Sequence, residues 1–284
     1  MRIKKIYKNE YILSKEKVWI RNLCSNSKNI DINKLYDKEN FLCINNEFEN
    51  LKVQKLDLPK LNVETVIICS DGLFWNDKQK ILSKVPSECR IIGVNGSLKK
   101  WKMVGKDADF KKSMFLYLVN NPYKECMNYL PKEHRYYPNI ISSIRTYPEF
   151  IKNYKSKIYF YTPSENLNYS SYPNLINLSL DDYRNPICAS ISLAYKMNAK
   201  KIILFCCDEA FEEYREGSVK MDNGYYQYPQ QIMSQNIIDK QLYWLKQNQI
   251  EIFDHSSGIK YENASYINEN QLISFFSKEC KNEQ

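Results

Sequence analysis

The stretch ASISLAYKMNAKKIILFCCDE, residues 189–209, decides the fold class of this 284-residue chain. Its first half has apolar residues at helical spacing and ends in an Asn-Ala turn. Its second half is a continuous apolar run, 201–207, that ends directly at Asp208 and Glu209. Such a run is typical of a strand that is covered on both faces of a parallel sheet. A helix that leads into such a strand predicts an α/β protein.

Five other apolar runs, each followed by a polar turn, repeat this pattern along the chain. Segments with helical spacing lie between several of them. This alternation predicts a Rossmann-like, mainly parallel α/β sheet of about six strands with helices on both faces. The predicted strands are 66–69, 90–95, 114–119, 157–161, 201–207 and 250–253, and the predicted helices are 76–85, 187–197, 230–249 and 269–276.

Residues 1–60 differ in composition from the rest of the chain, because they are polar and rich in Lys and Asn, with only short apolar clusters. We predict a small N-terminal unit or arm over this range. Residues 61–284 are then the Rossmann-like domain, which closes with a C-terminal helical tail.

Charge and composition exclude several classes of protein. The chain has 41 Lys and Arg against 33 Asp and Glu, a net charge of +8, but the positive residues are dispersed. This pattern argues against a specific nucleic-acid partner and favours anionic substrates such as nucleotides. The sequence shows no apolar run of about 18 residues and no signal-peptide core, which predicts a cytoplasmic protein without a membrane span. The nine cysteines lack paired spacing, so neither a disulfide framework nor a metal site is predicted.

Familiar catalytic motifs are missing from the sequence. It has no GxGxxG, no GxxxxGK[ST] and no GxSxG motif. A standard dinucleotide-binding fold, a P-loop kinase and an α/β-hydrolase are therefore disfavoured. Candidate site residues must come from the fold itself.

In an open parallel sheet, ligands bind beyond the carboxyl ends of the strands, so the polar residues that follow each apolar run are the candidates. Glycines among them let backbone amides approach a phosphate or a ribose closely. The alternative is that these residues only form turns and helix caps. The candidate nucleotide-binding residues are Asp71, Gly72, Asn95, Gly96, Ser97, Asn120, Asn121, Ser256 and Gly258.

Two further residues are candidates for catalysis. Adjacent residues of an extended chain point in opposite directions, so only one of Asp208 and Glu209 is expected to face the crevice, and we favour Asp208. Its carboxylate would bind a ribose hydroxyl or a metal-bound diphosphate, or would only cap the next segment. His255 follows a predicted strand and is the candidate general base or phosphate ligand, with a turn role as the alternative.

Other residues could complete the crevice. Arg145 offers a guanidinium for phosphate. The aromatic segments 117–131 and 224–231 would form walls of the crevice or pack in the core.

The order of these features resembles the MptE-like superfamily, which includes archaeal 6-hydroxymethylpterin diphosphokinases and Maf motility-associated glycosyltransferases. The fold is also similar to that of bacterial lipooligosaccharide sialyltransferases. Residues 189–208 carry most of the resemblance, Val94-Asn95-Gly96-Ser97 matches the second strand end, and 70–74 aligns with the family's Gly-Pro-Ser turn. The resemblance implies a nucleotide-dependent transferase, most simply a glycosyltransferase-like enzyme that uses a nucleotide-activated sugar.

Departures from the family pattern keep two alternatives open. Asn120-Asn121-Pro122 stands where diphosphokinase relatives have an acidic pair, which argues against a Mg²⁺-dependent 6-hydroxymethylpterin-type diphosphokinase. Asp71-Gly72-Leu73 replaces the Gly-Pro-Ser turn, and 225–231 lacks the His of the sialyltransferase-like enzymes, which leaves a non-catalytic nucleotide-binding module as the second alternative. No cofactor is assigned from the sequence, since Mg²⁺ is implied only by the diphosphokinase interpretation, and the acceptor is not identified.

Overall fold

The computed structural model describes residues 42–43, 45–47, 49–50, 52, 62–73, 75–100, 115–130, 138–164, 178–258 and 260–279. Most of the predicted N-terminal unit, 1–60, lies outside the described residues. Its described residues 42–43, 45–47 and 49–50 are helical, and two asparagine side chains there bond to backbone carbonyls farther along the chain. Nδ2 of Asn46 donates to the carbonyls of Pro122 and Arg145, and Nδ2 of Asn50 donates to those of Ile144 and Thr146.

Eleven strands occur in the part of the chain that the structure describes. In chain order they are β1 (Thr65–Cys69), β2 (Arg90–Val94), β3 (Phe115–Val119), β4 (Asn139–Ser143), β5 (Ile158–Pro163), β6 (Ser179–Leu180), β7 (Lys201–Phe205), β8 (Val219–Lys220), β9 (Tyr226–Gln227), β10 (Glu251–His255) and β11 (Ser265–Tyr266). Nine of them form one sheet in the order β11-β10-β7-β1-β2-β3-β4-β5-β6, and every neighbouring pair is parallel. Strands β8 and β9 form a separate antiparallel hairpin.

The predicted parallel α/β sheet is confirmed, but it has nine strands where about six were predicted. All six predicted runs form strands. The prediction missed β6 and β11, which have only two residues each, and β4, whose sequence NIISS ends in two serines. Both serines are fully buried, and their hydroxyls bond locally, Ser142 to the carbonyl of Ser143 and Ser143 to the amide of Arg145. Local hydrogen bonds thus make polar side chains tolerable in a central strand.

Besides the helical residues near the N-terminus, six α-helices accompany the sheet in the described ranges: α1 (Trp75–Lys78), α2 (Ser97–Lys100), α3 (Pro148–Asn153), α4 (Pro186–Lys196), α5 (Pro229–Gln247) and α6 (Glu269–Glu279). Two 3₁₀ segments occupy Gln79–Lys84 and Lys124–Tyr129. Helices α4, α5 and α6 confirm three of the predicted helices. The fourth, predicted over 76–85, is one turn of α-helix that continues as 3₁₀ helix.

Two apolar layers, one on each face of the sheet, form the core. Val66 and Ile68 of β1 belong to the layer that α4 and α5 cover, while Ile67 and Cys69 belong to the layer on the other side. This alternation follows from the pleat of a strand. Residues of α1, α3 and α6 pack into the second layer, so the prediction of helices on both faces is confirmed.

The strand order places a topological switch point beside β1. Strands β1 to β6 follow one another across the sheet in one direction, whereas β7 returns to the opposite side of β1. The loops that leave β1 and β7 therefore diverge and leave a crevice between them, which is where open parallel sheets bind ligands. Across the described ranges, no helix combines the length and the apolar character that crossing a bilayer requires.

Candidate functional site

A cleft of about 760 Å³ opens at this switch point, beyond the carboxyl ends of β1, β2 and β7. Its wall includes the loops after β1, β2 and β7, each of which contains predicted site residues. Residues 210–215, which follow Glu209, complete this part of the wall. The predicted site residues in the wall are Asp71, Gly72, Asn95 and Gly96, and the others include Ser70, Tyr129, Pro186, Glu209 and 210–215. The structure thus brings the tips of β1 and β2 together, as the strand order requires.

Glu209 is the carboxylate of the Asp208-Glu209 pair that lines the cleft. Its Oε1 accepts a 2.9 Å hydrogen bond from Nδ2 of Asn185, and its Oε2 is buried with no hydrogen-bond partner among the described residues. Burial raises the pKa of Glu209 to about 7, with contributions from the charges of Asp71 and Asp208, and the Asn185 hydrogen bond opposes the rise. A carboxyl group with this pKa exchanges a proton near neutral pH.

Asp208 has a different position, because its carboxylate joins two loops from within the protein. Oδ1 accepts from the backbone N–H of Leu73 at 3.0 Å, and Oδ2 accepts from those of Ser257 at 3.1 Å and Gly258 at 2.8 Å. The residue is 1% exposed. These three bonds fix the loops after β1 and β10 to the loop after β7.

The alternation argument that favoured Asp208 assumed an extended chain, and the chain after β7 is not extended. Cys206 has φ +52° and Glu209 has φ +42°, both in the left-handed region. These two residues turn the backbone so that Asp208 points inward and Glu209 points to the cleft. Left-handed non-glycine residues are uncommon and are characteristic of functional loops.

Gly72 is required by the close approach of two loops. A Cβ on this residue would lie 1.9 Å from Oδ1 of Asp208 and 2.4 Å from the carbonyl oxygen of Cys206. Its amide donates to that same carbonyl at 3.0 Å. The glycine in the turn after β1 therefore serves the packing of the cleft wall against the loop after β7.

Three predicted site residues, one at the end of β10 and two directly after it, lie behind the cleft wall. His255 is 3% exposed, packs on the ring of Phe205 at 5.3 Å, and has Nδ1 2.7 Å from the carbonyl oxygen of Ile267, which places the proton on Nδ1. Burial lowers the pKa of His255. Ser256 is fully buried and its hydroxyl accepts from the amide of Cys207 at 3.0 Å, while Gly258 donates to Asp208.

Asn95 connects the cleft to a second pocket. The residue has φ +41° and lines both spaces. Its carbonyl accepts from the hydroxyl of Tyr117, and its Oδ1 lies 3.5 Å from the amide nitrogen of Asn120. Next to it, Gly96 lies against Asp71, since a Cβ there would be 2.6 Å from Oδ2 of that carboxylate. Ser97 is fully buried and does not reach either space.

The second pocket has a volume of about 170 Å³ and lies at the ends of β3, β4 and β6. Asn120 and Asn121, both predicted site residues, line it together with Arg145 and Arg184. The Nδ2 of Asn121 donates to the hydroxyl of Tyr129 at 3.0 Å. We call this space the arginine pocket. Two predicted site residues therefore belong to a space that adjoins the cleft.

The cleft carries more negative charge than the sequence suggested. Asp71, Glu209, Glu212 and Glu213 line it, against one arginine, Arg215. Among the described residues, no three His, Cys, Asp or Glu side chains form a group that could hold a metal ion. The sequence analysis did not place Glu212 and Glu213 at the site, because they lie in a loop rather than directly after a strand.

The segment between β7 and α5 forms one wall of the cleft. Phe211 pairs with Tyr226 through backbone hydrogen bonds in both directions, and the guanidinium of Arg215 lies 3.7 Å from the centre of the Phe211 ring. Nε2 of Gln227 donates to the carbonyl of Glu209 at 3.2 Å. The hairpin of β8 and β9 thereby holds the backbone of Glu209. The aromatic stretch 224–231 contributes Gln231 to the cleft wall itself.

Comparison with solved structures shows a likeness in fold. The chain is similar to the Maf glycosyltransferase from Magnetospirillum magneticum AMB-1, with a TM-score of 0.62 and 12% sequence identity. The alignment covers 85% of this chain and 41% of that protein, so this chain spans well under half of its length. No family model and no curated protein sequence matches the chain. The likeness supports the Maf part of the predicted resemblance and says nothing of the pterin diphosphokinases. The chain therefore has a fold like that of a Maf glycosyltransferase.

Proposed function

We propose that this protein is a glycosyltransferase-like enzyme that moves a sugar from a nucleotide-activated donor to a hydroxyl acceptor. The fold likeness to a glycosyltransferase and the open cleft at the switch point support this proposal. The observation that carries it is Glu209, a carboxyl group in the cleft wall whose pKa is raised to about 7. A general base is most effective when its pKa is close to the operating pH.

In this proposal Glu209 is the general base, in place of the two catalytic candidates from the sequence. His255 and Asp208 are 3% and 1% exposed and neither lines the cleft, whereas Glu209 does line it. Asp208 acts as a positioning residue, because its three backbone hydrogen bonds shape the loops that carry Gly72 and Glu209.

The proposed sugar transfer needs one general base, which takes a proton, and one leaving group, which takes an electron pair. The Glu209 carboxylate takes the proton of the acceptor hydroxyl as the hydroxyl oxygen forms a bond to the anomeric carbon of the donor sugar. The bond from the anomeric carbon to the phosphate oxygen breaks, and its electron pair leaves with the nucleoside phosphate. Groups that stabilise the charge on that phosphate lower the barrier. Glu209 later returns the proton to solvent.

The donor would lie along the tips of β1 and β2. Asp71 is exposed in the cleft wall, where its carboxylate would accept hydrogen bonds from ribose hydroxyls. Gly96 and Gly72 lie in the cleft wall at these tips. Asn95 lines both spaces and would contact the donor near its phosphate, with Asn120 and Asn121 beyond it.

Release of nucleoside phosphate from a panel of CMP-, UDP- and GDP-sugars, with and without simple sugar acceptors, tests the proposal. We expect turnover with one donor class, and we expect Glu209→Gln to abolish it while the variant still binds the donor. Binding of nucleotides without turnover of any donor would instead indicate a non-catalytic nucleotide-binding module.

The charge of the cleft favours a second candidate, a Mg²⁺-dependent diphosphokinase. Mg²⁺ is commonly held by one or two carboxylates together with substrate phosphates, and Asp71 and Glu209 are the residues that would contact it. The described protein side chains do not supply a three-ligand set, so the substrate phosphates would have to complete the coordination. AMP formation from ATP with Mg²⁺ and a pterin alcohol, without turnover of nucleotide sugars, would select this candidate.

A further inference from the structure

We propose that the arginine pocket is a phosphate-binding subsite that holds the phosphate group of the nucleotide donor. This deepens the proposed function and rests on it for the nucleotide identity of the ligand. The pocket has a volume of about 170 Å³, several times the roughly 30 Å³ share of one liquid water, so it has room for a tetrahedral anion.

An unsatisfied hydrogen-bond donor in the pocket wall indicates a ligand that carries acceptor oxygens, as a negatively charged phosphate does. Asn120 is 8% exposed and lines the pocket, and its Nδ2 is buried without a hydrogen-bond partner among the described residues. A buried amide donor that lacks an acceptor is unfavourable. An oxygen atom of a bound phosphate would satisfy it. The amide nitrogen of Asn120 is held near Oδ1 of Asn95, at 3.5 Å.

Two arginines from different loops line the same pocket. Arg145 follows β4, its side chain is 12% exposed, and its Nε donates to Oε1 of Glu47 at 3.0 Å. Arg184 lies between β6 and α4, with φ +60°. Guanidinium groups bind phosphate by paired, charge-assisted hydrogen bonds.

The acidic residues near these arginines already have hydrogen-bond donors. Asp182 lines the pocket, but its Oδ2 accepts from the hydroxyl of Tyr161 at 3.0 Å and its Oδ1 accepts from the amide of Arg184 at 3.0 Å. Glu47 orients Arg145 through the ion pair. These contacts hold the Arg145 side chain and the backbone of Arg184, and they reduce the repulsion that an anion would meet.

The two spaces have opposite electrostatic character. The cleft is lined by four carboxylates (Asp71, Glu209 and the acidic pair 212–213) against one arginine, whereas the pocket is lined by two arginines against one carboxylate, Asp182. A phosphate is repelled by the first and attracted by the second. Because Asn95 lines both, one ligand can extend from the pocket into the cleft. The phosphate would then lie in the arginine pocket, and the acceptor hydroxyl would be deprotonated at the acidic end.

Isothermal titration calorimetry of the full chain with inorganic pyrophosphate, CMP and UDP, and with uridine and cytidine as phosphate-free probes, tests this subsite. We expect the phosphate-bearing probes to bind more tightly than the nucleosides. Arg184→Gln should weaken binding of pyrophosphate by about tenfold or more, since it removes charge-assisted hydrogen bonds. Asn120→Asp, which is nearly isosteric, should weaken it as well, through repulsion.

Lys278→Gln is the matched control, because it removes one positive charge from an exposed position on α6, beside the opposite edge of the sheet. It should leave pyrophosphate binding unchanged. Melting temperatures of all variants separate loss of the subsite from loss of the fold. Failure of every phosphate-bearing probe to bind the folded parent, or equal weakening by Arg184→Gln and Lys278→Gln, would overturn the inference. Arg184-dependent binding of pyrophosphate without any sugar transfer would keep the subsite and reject the proposed transferase.

Discussion

Nδ2 of Asn185 donates a 2.9 Å hydrogen bond to Oε1 of Glu209, while Oδ1 of the same side chain accepts from the backbone amides of Ile187 and Cys188. One asparagine therefore caps the N-terminus of α4 and positions the carboxyl group of the cleft. The cap is part of the fold, so the geometry of the proposed base is fixed by an element of the core.

Asn185→Ala should shift the pH dependence of turnover. The Asn185 hydrogen bond lowers the pKa of Glu209, and its loss should raise that pKa above about 7, so the acidic limb of the kcat profile should move to higher pH. Loss of the cap should also cost about 1 kcal/mol of stability. Asn185→Asp is the control, because it keeps the cap oxygen but adds a negative charge and should shift the limb further. An unchanged profile in both variants would mean that Asn185 does not act on the base.

The stability of the protein should fall as the pH rises from about 4.5 to about 7. The pKa of Glu209 is raised from 4.5 to about 7 on folding, so within this window the folded state keeps a proton that the unfolded state has released. The free energy of unfolding then decreases with pH, by about 3 kcal/mol for this residue.

Urea unfolding of the parent and of Glu209→Gln at pH 5 and pH 8 isolates this contribution. The glutamine keeps the acceptor for Asn185 but does not titrate, so its stability should change less between the two pH values. Parallel pH dependence of the two proteins would show that Glu209 has an ordinary pKa.

Asp208→Asn should destabilise the protein, because an amide nitrogen would replace one of two oxygens that together accept three backbone hydrogen bonds. We expect a loss of about 3 kcal/mol in the free energy of unfolding. Gly72→Ala should have a similar effect, since its Cβ would overlap Oδ1 of Asp208. If Asp208→Asn instead unfolds like the parent but loses turnover by about a hundredfold or more, Asp208 acts on substrate, as the sequence alone suggested.

His255→Asn should keep turnover within about threefold of the parent, well short of the effect of losing a general base. The new amide can replace Nδ1 as the donor to the carbonyl of Ile267, and the lost ring packing on Phe205 should lower the melting temperature. Thermal denaturation and steady-state kinetics on the same samples check this. A drop of two orders of magnitude in turnover with an unchanged melting temperature would return His255 to the role of base.

The sequence predicts the sheet well where strands are apolar throughout. The six predicted strands could be located because their residues pack on both faces, as Ile67 and Ile68 do on opposite sides of β1. Strand β4 could not be predicted by this pattern, because Ser142 and Ser143 are buried polar residues with local hydrogen bonds. Long-range packing, which sequence spacing does not show, decides such cases.

The sequence indicated which loops lie near the candidate site, but it did not indicate which of their side chains face the cleft. The predicted residues at the tips of β1, β2 and β3 lie beside the cleft and the pocket, since parallel strands end at the same edge. The choice between Asp208 and Glu209 depended on the left-handed residues Cys206 and Glu209, which no pattern in the sequence indicated. Arg184 was missed because β6 is too short to be recognised.

The decisive experiment measures the pH dependence of kcat/KM for sugar transfer in the parent, Glu209→Gln and Glu216→Gln. It tests whether Glu209 is the general base. Glu216 is exposed and does not line the cleft, so its variant controls for the loss of one carboxylate. We expect kcat/KM of the parent to rise to a plateau with a midpoint at about pH 7, Glu216→Gln to match the parent, and Glu209→Gln to lose about a hundredfold or more together with that midpoint. Turnover by Glu209→Gln within a few-fold of the parent, with the same midpoint, would show that Glu209 is not the general base.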